Sequence, residues 1–273
     1  MSFDPYNRTD ELSTEATGAI AARLEARGES LFFSNMIDEY LAEMDVPSLT
    51  RVLDVGCGTG VAALRLASRP DFRGTVVGVD RSAGLIEIAD AKASEEGLTG
   101  KVTFEVGDAT SLSEISGRFD AALAHTLVSH VDNARSVLAQ IVACVRPGGL
   151  IAIFDGDYAS WVYGGDHPEA GEMLAAAVVN AIVTNATVMR CLPADIRSLG
   201  LQIVAVKSYV LSEVGEASFF ASSLDSYPTL LPVSGVADKE TVEKWVDIQR
   251  GNSANGTFFG SINFYAYVLR RPE

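Results

Sequence analysis

The sequence predicts an α/β fold in which a parallel sheet lies between layers of helix. Three observations carry this. Short apolar runs alternate with helical patterns from Arg51 to about Phe154. Those runs are rich in Val, Ile, Leu and Ala, as strands buried on both faces require. A glycine-rich turn joins the first run to the first helix. At 273 residues and 48% apolar composition, the chain can bury a substantial core, as one large domain or a core with a smaller addition.

In order, VLDV (52–55) reads as a buried strand, and AALRLA continues as a helix that stops before Pro70. TVVGVD (75–80) is the second strand, followed by a helix from about Ser82 to Glu95. VTFEV (102–106), FDAALA (119–124) and LIAIFD (150–155) are three more strands, the last two joined by the helix DNARSVLAQIVACV, which ends at RPGG. Before Arg51, ATGAIAARLEARG and ESLFFSNMIDEYLAEM form two helices, with Ala16, Ile20 and Leu24 on one face. After Asp155 the pattern predicts a loop rich in Gly, Asp and aromatics. A helix from about Glu169 to Val188 follows, with an apolar stripe of Met173, Leu174, Ala177, Val178 and Ile182. LQIVAVKSYVLSEV (201–214) and FFGSINFYAYVLRR (258–271) read as two long strands with a helix, DKETVEKWVDIQR, between them. The expected organisation is a helical segment at 1–50 covering a site, then a sheet domain over 51–273. Insertions at about 156–192 and 214–250 would cover the substrate cleft.

A formal net charge of −15 repels phosphate backbones and disfavours nucleic acid as a large substrate; a local basic patch would be the exception, and no Lys/Arg cluster announces one. No apolar run approaches bilayer length, which excludes a membrane role. The acidic, polar start is unlike a secretory signal. Cys57, Cys144 and Cys191 lack zinc-type spacing, so a reduced, cytoplasmic setting is expected, with no metal.

LDVGCGTG (53–60) ends the first strand and opens the first helix. Glycines there let the backbone turn sharply and let a ligand approach helix-start N–H groups. A dinucleotide fingerprint, GxGxxG from Gly56, would need glycine where Val61 stands; here the third glycine is Gly60. Asp54, ahead of the loop, would repel a pyrophosphate and accommodate an amino group. The ligand implied is nucleoside-like, carries an ammonium and lacks phosphate, which is the chemistry of S-adenosyl-L-methionine. Asp80, in GVDRS, suits both ribose hydroxyls, and Asp108, in VGDAT, suits the adenine amino group with the Ala109 N–H near the ring.

With these motifs the chain resembles the class I S-adenosylmethionine-dependent methyltransferases over about Arg51 to Asp155. FDAALAHTLVSHV…VRPGG is similar to the small-molecule group that includes quinone C-methyltransferases. The resemblance implies a Rossmann-like, seven-stranded, mostly parallel sheet with helices on both faces, the two late strands completing it. It also implies cofactor contacts from Asp54, Gly56, Gly58, Gly60, Asp80, Arg81, Asp108, Ala109 and His125. Arg27 is the candidate for the methionine carboxylate and Arg23 the second candidate; either arginine could instead belong to a solvated helix face.

Of three histidines, His125 falls at the exit of the fourth strand, beside the expected methyl group. It is the candidate base if the acceptor must lose a proton, and packing against the cofactor is the alternative. His130 is read as capping or bracing the next helix, and His167 lies in the first insertion. Five-residue spacing suits no common two-histidine metal motif. Cys57 reads as a small packing residue at the loop rather than a nucleophile, and Cys144 and Cys191 as core residues on helices. Asp155 and Asp157 could orient an acceptor amine or hydroxyl, or cap a turn. With Tyr158 and Trp161 they form the candidate substrate site; aromatic cover suggests a flat or apolar acceptor, the acidic pair a cationic amine.

The expected reaction is in-line methyl transfer to O, N or C of a small molecule, driven chiefly by proximity and orientation. AHTL stands where nucleobase amino-methyltransferases carry (D/N)PP(Y/F). The alternatives are a cofactor-binding protein without transfer and, disfavoured by Val61, a nucleotide-dependent oxidoreductase. A homodimer is compatible with this reading.

Overall fold

The computed structural model describes residues 4–115, 118–164, 175–180, 182–234 and 237–273. Five strands, β1 (Arg51–Val55), β2 (Thr75–Asp80), β3 (Val102–Val106), β4 (Phe119–His125) and β5 (Val145–Tyr163), run parallel. Two more, β6 (Gln202–Gly215) and β7 (Phe258–Arg270), complete one seven-stranded sheet in the order β3-β2-β1-β4-β5-β7-β6, with β7 antiparallel to both neighbours. This is the Rossmann-like sheet expected from the sequence.

Side-chain alternation divides the core. Val52 and Val76 face one side with α2 (Leu31–Ala42), α3 (Val61–Ser68) and α4 (Ala83–Glu95). Leu53, Val55, Val77 and Val79 face the other, against α5 (Ala134–Cys144) and α6 (Val188–Ser198). The N-terminal helix α1 (Thr14–Glu29) packs Ile20 and Ala21 onto Leu85 of α4. On the first side Phe264 of β7 is fully buried, stacked on Phe154 at 5.6 Å between ring centres and met edge-on by Phe33 at 5.3 Å. No helix among the described residues is long and apolar enough to cross a membrane.

Three expectations change. The stretch after Asp155 is not a loop: β5 continues to Tyr163, pairing Asp157 with Asn263 and, past a bulge, Val162 with Ser261. Gly and Asp read locally as turn residues, but β7 offers a ladder and the bulge absorbs the misfit. Of the helix expected at 169–188, residues 175–180 are helical; Met173 and Leu174 lie outside the described residues. Two helices were not expected, because each contains a proline. In α6, Pro193 cannot donate to the Met189 carbonyl, and the Tyr267 hydroxyl donates to it instead at 3.1 Å. The second insertion holds α7 (Phe219–Ser234), which contains Pro228, and α8 (Lys239–Ala254), the helix that was expected.

Phe264→Ala removes the ring that both Phe154 and Phe33 pack against. It should destabilise the fold by about 3–5 kcal/mol in denaturant titration. Val214→Ala, at an exposed position of β6, should stay within about 0.5 kcal/mol.

Candidate active site

After Val55 the chain turns through Gly56, Gly58 and Gly60, whose φ angles of 67°, 54° and 84° place all three in the left-handed region. The N–H groups of Gly56 and Cys57 donate to the Val79 carbonyl at 2.8 and 3.1 Å, and Gly58 N–H donates to Asp80 Oδ2 at 2.9 Å. The loop is thereby tied to the tip of β2. A Cβ on Gly56 would lie 2.6 Å from Leu127, and one on Gly58 would lie 2.9 Å from Leu24. Gly60 differs from the expectation. It does not line the cavity; its missing Cβ makes room for the Phe104 ring and its φ suits the start of α3.

At the C-terminal ends of β1 to β4 the loop borders a cavity of about 380 Å3. The structure brings Arg27, Asp54, Asp80, Asp108, Ala109 and His125 together on its walls. Asp54 is buried, and neither of its oxygens has a hydrogen-bond partner. Burial pushes its carboxyl up to about 7, with the Asp80 charge adding to the rise; the nearby Ala63 N–H, which does not meet hydrogen-bond geometry, opposes it only in part. Burial also raises Asp80, whose Oδ1 accepts from Ser82 N–H at 2.9 Å. Burial works against the Asp108 charge too. There the Thr110 N–H and hydroxyl, at 2.7 and 2.8 Å from Oδ1, outweigh it and hold the carboxyl below its ordinary value. Arg81 lines the cavity, but its head is engaged elsewhere: Nη1 donates to the Asn7 carbonyl and Nε lies 2.7 Å from Asp10 Oδ1.

Those contacts belong to residues 4–12, ahead of the two helices read in the expected covering segment 1–50, and how they are tied down was not read from the sequence. Tyr6, Asn7 and Thr9 line the cavity. The buried Asp4 carboxylate accepts from Tyr6 N–H at 2.9 Å and from the Thr184 N–H and hydroxyl at 2.9 and 2.8 Å. His130 Nδ1 lies 3.0 Å from Asp4 Oδ2, and its ring packs on Tyr6 at 4.7 Å. His130 therefore braces this N-terminal segment rather than α5, whose cap is Asn133. The Asp-Pro turn at Asp4 was the legible signal.

His125 lines the cavity as expected, stacked on Phe154 at 4.5 Å with Nδ1 3.2 Å from the Tyr40 hydroxyl. Burial and the Arg27 charge push its pKa down to about 3, so the ring is neutral and a weak proton acceptor. Its stack on Phe154 and its contact with Tyr40 are packing contacts. Burial raises the Cys57 thiol well above its ordinary value, which makes it a poor nucleophile. Cys144 is buried, whereas Cys191 is exposed on α6 and not a core residue. His167 lies outside the described residues.

A second cavity of about 660 Å3 adjoins the first and shares Tyr6, Arg27, Phe33 and His130 with it. Tyr158 and Trp161 line it as expected, while Asp155 and Asp157 line neither cavity. A buried carboxylate needs donors; Asp155 has them on both oxygens, whereas Asp157 has them on Oδ2 alone and its Oδ1 is buried without a partner. Asp155 accepts from the Ser129 N–H and hydroxyl, both at 2.9 Å, and from Gly156 N–H at 2.8 Å. Asp157 Oδ2 is gripped by Arg190 through Nε and Nη2 at 2.9 and 2.8 Å.

Residues 52–149 match the family model described as a methyltransferase domain. The chain is 33% identical over 120 residues to a methyltransferase of Streptomyces halstedii, covering 44% of this chain and 42% of that one. It is 31% identical over 137 residues to a sterol 24-C-methyltransferase of Aspergillus fumigatus, covering 48% of this chain and 34% of that one. The matches thus span less than half the length of these curated relatives. Among solved structures, the cyclase SpnF is similar in fold with a TM-score of 0.62 at 19% identity, over 100% of this chain and 98% of that one. A geranyl diphosphate methyltransferase has a TM-score of 0.54 at 16% identity, over 87% of this chain and 78% of that one. Over residues 52–149 the chain is thus similar to the methyltransferase-domain family, and the solved structures it resembles share its fold.

Proposed function

We propose that the protein transfers a methyl group from S-adenosyl-L-methionine to a small-molecule acceptor. The observation that carries this reading is Asp54, a buried carboxylate with two unpartnered oxygens at the end of the glycine loop. Such a group calls for a cation, and the cofactor's ammonium supplies one where a pyrophosphate would be repelled. Asp80 presents acceptors to the ribose hydroxyls, while Asp108 Oδ2 and the Ala109 N–H serve the adenine edge. Arg27 lies at the carboxylate end. The bound cofactor supplies an activated methyl group on sulfur. The chain's own contribution is to align the acceptor from the second cavity with that methyl and to exclude water by closing residues 4–12 over the mouth. The relatives that the chain matches include O-methyltransferases and a sterol C-methyltransferase, which favours a small acceptor of this kind.

A second reading, cofactor binding without methyl transfer, is kept by the likeness in fold to a cyclase. Release of S-adenosylhomocysteine across an acceptor panel separates the two; tight cofactor binding without any release favours the second. Calorimetry tests the cofactor itself, and binding of NAD without binding of S-adenosylhomocysteine would sink both.

Asp54→Asn should weaken S-adenosylhomocysteine by about 10–100-fold, the loss of charge-assisted hydrogen bonds. Methylthioadenosine, which lacks the amino-acid end, should bind it as it binds the wild type. Equal loss for both ligands would mean that the ammonium is held elsewhere. The apo protein responds in the opposite sense. Folded Asp54 keeps its proton up to about pH 7, whereas an unfolded aspartate releases it near about 3.9. Stability is therefore lost as pH rises through that window. At pH above about 7, Asp54→Asn should raise the apo Tm by roughly 2–4 °C for each kcal/mol relieved.

Ammonium binding draws the Asp54 carboxyl down, so affinity for S-adenosylhomocysteine should rise as pH increases toward about 7. A flat or falling affinity profile contradicts the assignment. Loss of a general base costs about 10²–10⁴-fold in rate. His125→Gln should cost far less in turnover, and a loss of that full size would restore the base role.

A further inference from the structure

The second cavity has flat, apolar walls in Phe32, Phe33, Trp161 and Phe219, so its chemistry is set by the few charged groups that face it. Among the described lining residues these are Arg23, Arg27 and Glu213. Glu213 is fully occupied: its carboxylate accepts the N–H groups of Ser218, Phe219 and Phe220 at 2.8, 2.7 and 3.2 Å, capping the start of α7. The other carboxylates nearby, Asp155 and Asp157, are held by Ser129 and by Arg190. Among the described residues no acidic group that faces the cavity is left to receive a cationic amine, and two guanidinium groups would repel one.

Arg27 is in the opposite condition. Its guanidinium carbon lies 5.4 Å from the centre of the Phe33 ring and 5.5 Å from that of Phe219. The Tyr158 hydroxyl lies beside it. Its Nε is buried without an acceptor, and it forms no ion pair with any described carboxylate. Ring faces attract the charge but accept none of the in-plane N–H bonds, so apart from its contact with the Tyr158 hydroxyl the fork can take an anionic or strongly accepting oxygen. Arg27 borders both cavities, and its five N–H donors can serve the cofactor's carboxylate on one side and a second oxygen on the other.

We propose that the second cavity takes a flat aromatic acceptor bearing an acidic hydroxyl, and that Arg27, with the Tyr158 hydroxyl, holds that oxygen as an oxyanion for O-methylation. This rests on the methyl-transfer reading above. The hydroxyl proton passes to solvent as the acceptor binds. A lone pair of the oxyanion then forms the O–C bond while the C–S bond breaks, its electron pair staying on sulfur, and a neutral methyl ether results. Ionisation on binding removes the need for a base at the methyl group, which agrees with the weakly basic His125.

The test uses the full chain saturated with S-adenosylhomocysteine, so that no turnover occurs, and 7-hydroxycoumarin, whose phenol and phenolate absorb separately. The bound probe should ionise roughly one to three pH units below the free probe. Arg27→Gln should abolish that shift, Arg27→Lys should restore part of it, and Tyr158→Phe should diminish it. A wild-type probe that ionises at its free pH overturns the assignment. So does a shift that survives Arg27→Gln, failure of the probe to bind at its solubility limit, or tighter binding of the flat cation 2-naphthylmethylamine. Calorimetry on the same samples separates the layers. Loss of S-adenosylhomocysteine binding by the wild type sinks the methyl-transfer reading itself, whereas normal binding with an unshifted probe sinks only the acceptor class.

Discussion

One hydrogen bond organises the site: Gly58 N–H to Asp80 Oδ2, 2.9 Å long. It closes the loop after β1 onto the tip of β2, and the other Asp80 oxygen takes the N–H of Ser82, the residue that caps α4. A single carboxylate therefore fixes two strand ends and a helix start relative to each other. The loop can reach that bond because three glycines occupy the left-handed region. Behind it Asp54 is sealed from water with neither oxygen partnered, a state that the fold tolerates only at a cost in apo stability. Strain and need for a ligand are thus two faces of one arrangement.

The N-terminal segment completes the enclosure through a second carboxylate. Asp4 gathers backbone and side-chain donors from Tyr6 and Thr184 together with the His130 ring, while Arg81 reaches back to Asn7 and Asp10. Residues distant in sequence are brought over one opening. The wall so made is common to both cavities, because Tyr6 and His130 face each of them. Covering one ligand therefore shapes the entrance to the other.

Charge is divided between the two spaces. The first cavity is ringed by Asp54, Asp80 and Asp108, the second by arginines whose acidic neighbours are already occupied. A net charge of −15 foretells the first and gives no hint of the second. Arg27 stands at the boundary, and its field helps to keep His125 neutral.

The five parallel strands, the glycine loop and its three aspartates were legible because each depends on local rules. Period and composition betray buried strands, and an acidic residue at a strand's C-terminal end has few structural reasons to be there. What stayed hidden depended on partners far along the chain. Asp155 and Asp157 look the same in sequence as Asp54, yet Ser129 holds the one and Arg190 pairs with Oδ2 of the other, while neither oxygen of Asp54 is hydrogen-bonded. Pro193 breaks a helix by propensity, but Tyr267 supplies the missing donor. Gly60 belongs to the motif and packs away from the cavity because Phe104 fills the space beside it. By itself the sequence determined the sheet and the place of the glycine loop with its aspartates at the strand ends, since both follow from short-range pattern and backbone geometry. Only the tertiary structure decided which polar groups remain unpartnered, because hydrogen-bond satisfaction is settled by contacts between segments that the linear order does not bring together.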